Sequence, residues 1–289
     1  MAIPKRVQER VVNGMKQFVP LLQQLKDRDV SEADTVTLVK DILSEVFGYD
    51  KYTELTSEYA IRGTRCDLAI KLEGKLAMLI EVKAIGLSLD DKHVKQAVDY
   101  AANEGVKWVI LTNGVCWRMF EVMTLDGKID KRLIVELDLL TLDYRKESNQ
   151  DLMFPFTREG FSKGSHMELR DRQEATSKYL IAALLVGNEA VMQVLRRELR
   201  RVVDVAVDEE DVLRVLRNDV IKRDAVEGPL ADKAAAKVDR RETQALRKRT
   251  RREAEFEGVP TVEPSALPNA PDAPDTPAEP DRGDILPST

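Results

Sequence analysis

The chain has 289 residues, 43% of them hydrophobic and 33% charged, with a formal net charge of −6, which suits one sizeable domain plus something smaller. An N-terminus of MAIPKRVQER and the lack of any run of about 18 apolar residues argue against export and membrane insertion, so a cytoplasmic protein with no membrane partner is expected. Cys66 and Cys116 are the two cysteines, too few for a disulfide framework or a cysteine-rich zinc site.

Apolar residues at helical spacing (Val7, Val11, Met15, Phe18, Leu22) predict an amphipathic helix over residues 6–25. Ser31, with Asp34 three residues on, starts a second helix whose stripe runs through Val36, Val39, Leu43, Val46 and Phe47 to a stop at Gly48. Strand patterns follow at 54–61, 65–72 and 76–85, the last two joined by a Glu73-Gly74 turn. Ser88 with Asp91 reads as the start of a helix to about residue 103. VKWVILT and CWRMFEVM are strands joined by Asn113-Gly114, and 134–137 adds a further strand. The expected fold is α/β, a mixed central β-sheet flanked by helices.

Beyond Phe156 the pattern is helical, at 175–186, 189–203 and 209–226, the last opened by Asp208 and closed by Gly228-Pro229. The apolar positions Leu180, Ala183, Leu184, Val191, Leu195, Leu199, Val212, Leu216 and Val220 are read as this region's own core. From Gly258 onward the chain holds eight of its twelve prolines and is acidic, a composition that cannot pack a core, so a disordered tail is expected. Without that tail the chain is close to neutral, and Arg240 to Arg252 concentrates seven basic residues, readable as a solvated helix end or a phosphate-binding arm. The expected division is 1–156, an α/β domain; 157–228, a small helical domain; 229–257, a basic helical segment; and 258–289, the tail.

The third strand, LAMLIEVKAI, puts Glu81 and Lys83 on one face and Ile80 and Val82 on the other. CDLAI places Asp67 in the same setting, one carboxylate among apolar residues; if the strands pair, two carboxylates converge as a Mg²⁺ site requires. An E-x-K triplet alone means little, since Glu73-Gly74-Lys75 matches it in a turn. Gln96 and Tyr100, four apart, share a face of the following helix, and Glu32 stands in the first turn of the second helix.

Taken jointly, Glu32, FGYD, TELTSEYAI, GTRCDLAI, LIEVKAIG, QAVDY and VILTNG resemble the nuclease domain at the N-terminus of type I restriction enzyme R subunits, over roughly residues 30–123. That family belongs to the PD-(D/E)xK superfamily and shares a Q-x-x-x-Y motif with RecB-type nucleases. The resemblance implies a restriction-endonuclease-like core and a Mg²⁺-dependent deoxyribonuclease, endonucleolytic rather than exonucleolytic, acting in restriction or DNA processing. It implies Asp67, Glu81 and Glu32 as metal ligands, Lys83 as an aid to water attack, Gln96 and Tyr100 as further catalytic-site residues, and Glu58 as an additional acidic member. Cys66 replaces the proline of the superfamily name. R subunits continue into an ATP-driven motor, whereas G-x-x-x-x-G-K-[ST] does not occur here. DNA is therefore the expected partner, together with a separate helicase, motor or specificity subunit. The competing reading is a non-catalytic DNA- or partner-binding module that keeps the fold.

Overall fold

The computed structural model describes residues 2–61, 64–125 and 127–256, and only the backbone for residues 58–61, 64, 65, 249 and 251–256. Met1–Asp239 and Arg240–Thr289 form separate compact units; the expected tail, and with it the reading of residues 258–289, lies outside the described residues.

Helix α1 (Lys5–Asp27) buries the anticipated stripe, Val7, Val11, Met15, Phe18 and Leu22. Ser31 caps α2 (Glu32–Asp41) by accepting from Asp34 N–H, and one wide turn (Ile42–Val46) carries the chain to Gly48. Six strands follow: β1 (Leu55–Ile61), β2 (Thr64–Leu72), β3 (Lys75–Val82), β4 (Trp108–Thr112), β5 (Cys116–Leu125) and β6 (Lys128–Asp138). They lie side by side in chain order, antiparallel except for β3 and β4, which run parallel with helix α3 (Asp91–Asn103) between them. Parallel neighbours need such a crossover, whereas the hairpins need two-residue turns. Glu73 and Gly74 (φ +51° and +76°) form one such turn in the left-handed region that tight hairpins favour.

Side-chain alternation splits the sheet into two faces. Ile70, Met78, Ile80, Val82, Ile110 and Trp117 pack with α1 and α2, while Ala69, Leu79, Val109, Leu111 and Phe120 pack with Val94, Ala97, Val98 and Tyr100 of α3. Because β3 and β4 are covered on both sides, they read as nearly unbroken apolar runs. Among the described residues no single helix is long and apolar enough to cross a membrane.

Past the sheet come α4 (Glu147–Met153), α5 (Arg158–Ser162) and α6 (Ser165–Ala175). His166 lies buried, its ring stacked on Phe161 at 4.1 Å and edge-on to Trp108 at 4.3 Å. Next are α7 (Lys178–Gly187), α8 (Glu189–Val203) and α9 (Glu209–Val215), then α10 (Pro229–Phe256). Met192, Val212 and Leu216 form one small core, and Ala183, Ala234 and Val238 another.

Four sequence expectations need correction. The helix expected over 209–226 ends as a regular α-helix at Val215, loosens into a wide turn over Leu216–Val220 and breaks before Arg223–Ala225. Leu184 and Val220 are exposed (36% and 63%) rather than core. The strand expected over 134–137 extends from Lys128 to Asp138, because it pairs along all of β5. Asp90, not Ser88, caps α3: its carboxylate accepts from Lys92 N–H and His93 N–H, while His93 Nδ1 accepts from Asp90 N–H.

Candidate active site

In the β2–β3 ladder Leu68 pairs with Ile80 and Ala69 with Leu79; the same register carried one step further sets Asp67 opposite Glu81. Backbone pairing stops there. Val82 N–H donates to Asp67 Oδ2 at 2.7 Å, and Cys66 Sγ–H donates to Ile80 O at 3.2 Å. Side chains of β2 thus take up backbone groups of β3 where the two strands part, which fixes Asp67 against the end of β3.

Glu81 shares the parity of Leu79 and so faces the α3 side of the sheet. Its residue is only 6% exposed. Lys83 falls one position past β3, yet its backbone N–H still donates to Thr112 O at 2.8 Å and its Nζ donates to Glu81 Oε1 at 2.6 Å. The Glu32 carboxylate approaches Lys83 Nζ to 3.8 Å from the first turn of α2. Strand end and helix start therefore bring Asp67, Glu81, Lys83 and Glu32 together from three separate stretches of sequence.

Burial pushes the Glu81 carboxyl above its ordinary range; the Lys83 ammonium opposes this, and the negative charges of Asp67 and Glu32 add to it. Burial works against the charge on Lys83 too, but Glu81, Glu32 and Asp67 outweigh it and hold the ammonium above its ordinary value. Lys83 is a fixed cation at neutral pH. The cluster sets three carboxylates against that one cation, with Glu81 buried, Asp67 half-buried and Glu32 exposed.

Two devices that the sequence did not reveal hold the segment after Lys83. Asn113 Nδ2 donates to Ile85 O and Leu87 O, while its Oδ1 accepts from Val115 and Cys116 N–H. The Asn-Gly pair was legible only as a turn, with Gly114 at φ +84°; it is also the latch on the loop leaving the site. A Cβ on Gly86 would meet Asp29 Oδ1 at 2.1 Å, so the end of LIEVKAIG runs against the Asp29 carboxylate of the α1–α2 link.

Gln96 and Tyr100 share a face of α3 and touch: Gln96 Nε2 donates to Tyr100 Oη at 3.4 Å. Tyr100 is buried in the core between α3 and the sheet, whereas Gln96 is exposed. The structure joins this pair to the sheet face that bears Glu81, with no direct hydrogen bond to Glu81 or Lys83 among the described residues. The side chain of Glu58 lies outside the described residues. His93 is occupied as part of the α3 cap, and Arg118 is engaged by Glu136 and Leu89 O.

Asp67, Glu81 and Glu32 offer carboxylate oxygens, the hard ligands suited to Mg²⁺. The Cys66 thiol, pushed up to about 12 by burial and by Glu81 and Asp67, stays protonated and is spent on the carbonyls of Leu68 and Ile80. Among the described residues no group of three or more His, Cys, Asp or Glu is arranged to hold a metal ion. A cation held by Asp67 and Glu81 would keep water or phosphate in its other positions, which Mg²⁺ tolerates and a closed zinc site does not.

No curated protein and no solved structure matches the chain. A family model described as "Type I restriction enzyme R protein N terminus (HSDR_N)" matches residues 38–134. The matched stretch contains Asp67, Glu81, Lys83, Gln96 and Tyr100; Glu32 and the helical region after β6 fall outside it. Residues 38–134, running from within α2 into β6, are thus similar to the N-terminal domains of type I restriction enzyme R proteins.

Proposed function

We propose that this chain is a Mg²⁺-dependent deoxyribonuclease acting in restriction or DNA processing, endonucleolytic in mode, with its chemistry at Asp67, Glu81 and Lys83. The observation that carries the reading is the excess of carboxylates gathered around the buried Glu81–Lys83 pair at one strand end. Glu81 is nearly covered, its carboxyl is raised, and its neighbours Asp67 and Glu32 make it less comfortable. Lys83 is the one cation among three carboxylates, and buried charge that is only partly compensated is destabilising. A divalent cation would relieve it.

Asp67 and Glu81 would hold the cation, with Glu32 near enough to bias the site. When bound, Mg²⁺ supplies charge neutralisation at the scissile phosphate and a more acidic water. Asp67 is kept in place by Val82 N–H, so its carboxylate needs little reorganisation. Lys83, charged throughout the neutral range, offers fixed positive charge where negative charge grows on the phosphate oxygens. Gln96 and Tyr100 brace each other on the helix covering this face and would support the site or the DNA.

Hydrolysis of a phosphodiester runs downhill and has no need of ATP, so we further propose that any translocation is supplied by a separate motor or specificity subunit. Purified protein incubated with supercoiled, linear and single-stranded DNA tests the reading. Cleavage with Mg²⁺ alone supports it. Cleavage only with ATP and a second protein would make the chain the nuclease subunit of a larger assembly, and DNA binding without cleavage under any metal would favour a non-catalytic module.

A further inference from the structure

We infer that one face of α10 is a binding surface for duplex DNA, separate from the residues proposed for hydrolysis; the choice of DNA as partner rests on the proposed nuclease function. In the segment beyond Asp239, Arg240, Arg241, Arg247 and Lys248 are all exposed. At 3.6 residues per turn these four, with Gln244 among them, occupy an arc of about 120° and a length of about 12 Å. Glu242 and Leu246 fall on the opposite side, and the sequence repeats the basic pair at Arg251 and Arg252.

The second observation is the lack of counter-charges. Several exposed cations earlier in the helical region are matched by carboxylates, among them Arg172 by Glu168, Arg201 by Glu198, Arg214 by Asp211 and Arg223 by Glu227. Among the described residues Arg240, Arg241, Arg247 and Lys248 have no ion pair. A solvated helix normally intersperses its signs; over residues 240–248 the one carboxylate, Glu242, lies across the helix from the four cations.

The chemistry favours duplex DNA over other polyanions. A helix about 10–12 Å across fits the major groove, about 12 Å wide, and its flanking phosphates. Single-strand binders add aromatic platforms for unstacked bases, and α10 has no aromatic residue before Phe256. An anionic membrane surface would call for an apolar face opposite the cations, where this helix has Glu242 and Thr243 around Leu246.

The test uses the full chain in EDTA, so that binding is read without cleavage, by anisotropy on a labelled duplex of about 30 base pairs from 50 to 200 mM NaCl. Matched single-stranded DNA, duplex RNA and phosphatidylserine vesicles are the other arms. The quadruple variant Arg240→Gln, Arg241→Gln, Arg247→Gln, Lys248→Gln should bind duplex DNA at least about tenfold more weakly at 150 mM, with a log–log salt slope shallower by about 3–4. A control, Arg172→Gln, Arg201→Gln, Arg214→Gln, Arg223→Gln, removes the same charge elsewhere and should bind within about twofold of the parent. Both variants should keep the parent's helical circular dichroism. An unchanged slope in the first variant, an equal loss in the control, or preference of the parent for single strands, RNA or vesicles would overturn the inference. Loss of binding confined to the α10 variant in a protein that never cleaves would leave this surface standing and sink the nuclease reading instead.

Discussion

Lys83→Met is the change that exposes the character of the acidic cluster most clearly. Lys83 Nζ lies 2.6 Å from Glu81 Oε1, and the two side chains are 18% and 7% exposed. Removing one partner of a buried pair costs about 3–5 kcal/mol, because the other charge stays behind unpaired. Lys83 keeps some contact with solvent and Glu81 can take up a proton, so the expected loss at pH 8 is about 2–3 kcal/mol. At about 2–4 °C per kcal/mol for a unit of this size, the melting temperature falls by roughly 4–12 °C.

The pH dependence follows from the sign. The Glu81 carboxyl is already raised by burial in the folded state, and loss of Lys83 raises it further. The folded state then holds a proton that the unfolded chain has released, so stability drops as pH rises from the ordinary carboxyl value through the folded one. Lys83→Met should therefore be far closer to the parent at pH 5 than at pH 8. Glu81→Gln in the same protein should recover most of the loss, since it removes the stranded charge. Urea melts of the three proteins at the two pH values are the assay. Equal destabilisation at both pH values, or no recovery in the double variant, would refute the reasoning.

Other expectations follow from the same structure. Glu159 is buried enough to raise its carboxyl, but the Arg10 guanidinium, bonded at 2.8 and 2.6 Å, outweighs this and holds it below its ordinary value. Arg10→Met should therefore cost about 2–3 kcal/mol near neutrality, and acid titration of stability should show that the parent loses this advantage as pH falls below the ordinary carboxyl range while the variant has none to lose. His166, held down to about 4 by burial first and then by Arg170, is neutral when folded. The unfolded chain binds the extra proton between pH 6.5 and 4, so stability should fall with acid over that window, and His166→Phe should flatten it in the same melts. Gly86→Ala should cost no more than about 0.5 kcal/mol, because the exposed Asp29 carboxylate can turn aside, and melting temperature and cleavage should both stay close to the parent's.

The sequence disclosed features that rest on local chemistry. Ser31 as a cap, Glu73-Gly74 and Asn113-Gly114 as hairpin turns, and the alternating strand around Glu81 are each determined by a few neighbouring residues. The approach of Asp67 to Glu81 was legible as a condition, that the two strands pair, and the register supplies it. What could not be read involves distant partners. Asp67 bonding Val82 N–H, Asn113 latching residues 85 and 87, and Asp29 against Gly86 depend on strand ends and loops meeting in space. The cap of α3 was misplaced because Ser88, Asp90 and Asp91 are all good candidates within four residues, and His93 in the capping box is not a residue that box usually employs. The break after Val215 leaves no clear mark either, since Leu216 and Val220 continue the apolar spacing although Val220 turns outward.

The most direct test of the proposed site is a cleavage assay with supercoiled plasmid and Mg²⁺, run with the parent chain, Asp67→Asn and Glu81→Gln side by side. Each substitution removes one carboxylate charge while keeping the side chain's shape, so fold and DNA binding should persist. Metal ligation by Asp67 and Glu81 predicts nicking or linearisation by the parent, none without the metal, and a loss of at least about a hundredfold in both variants. Cleavage by either variant at the parent's rate would contradict it.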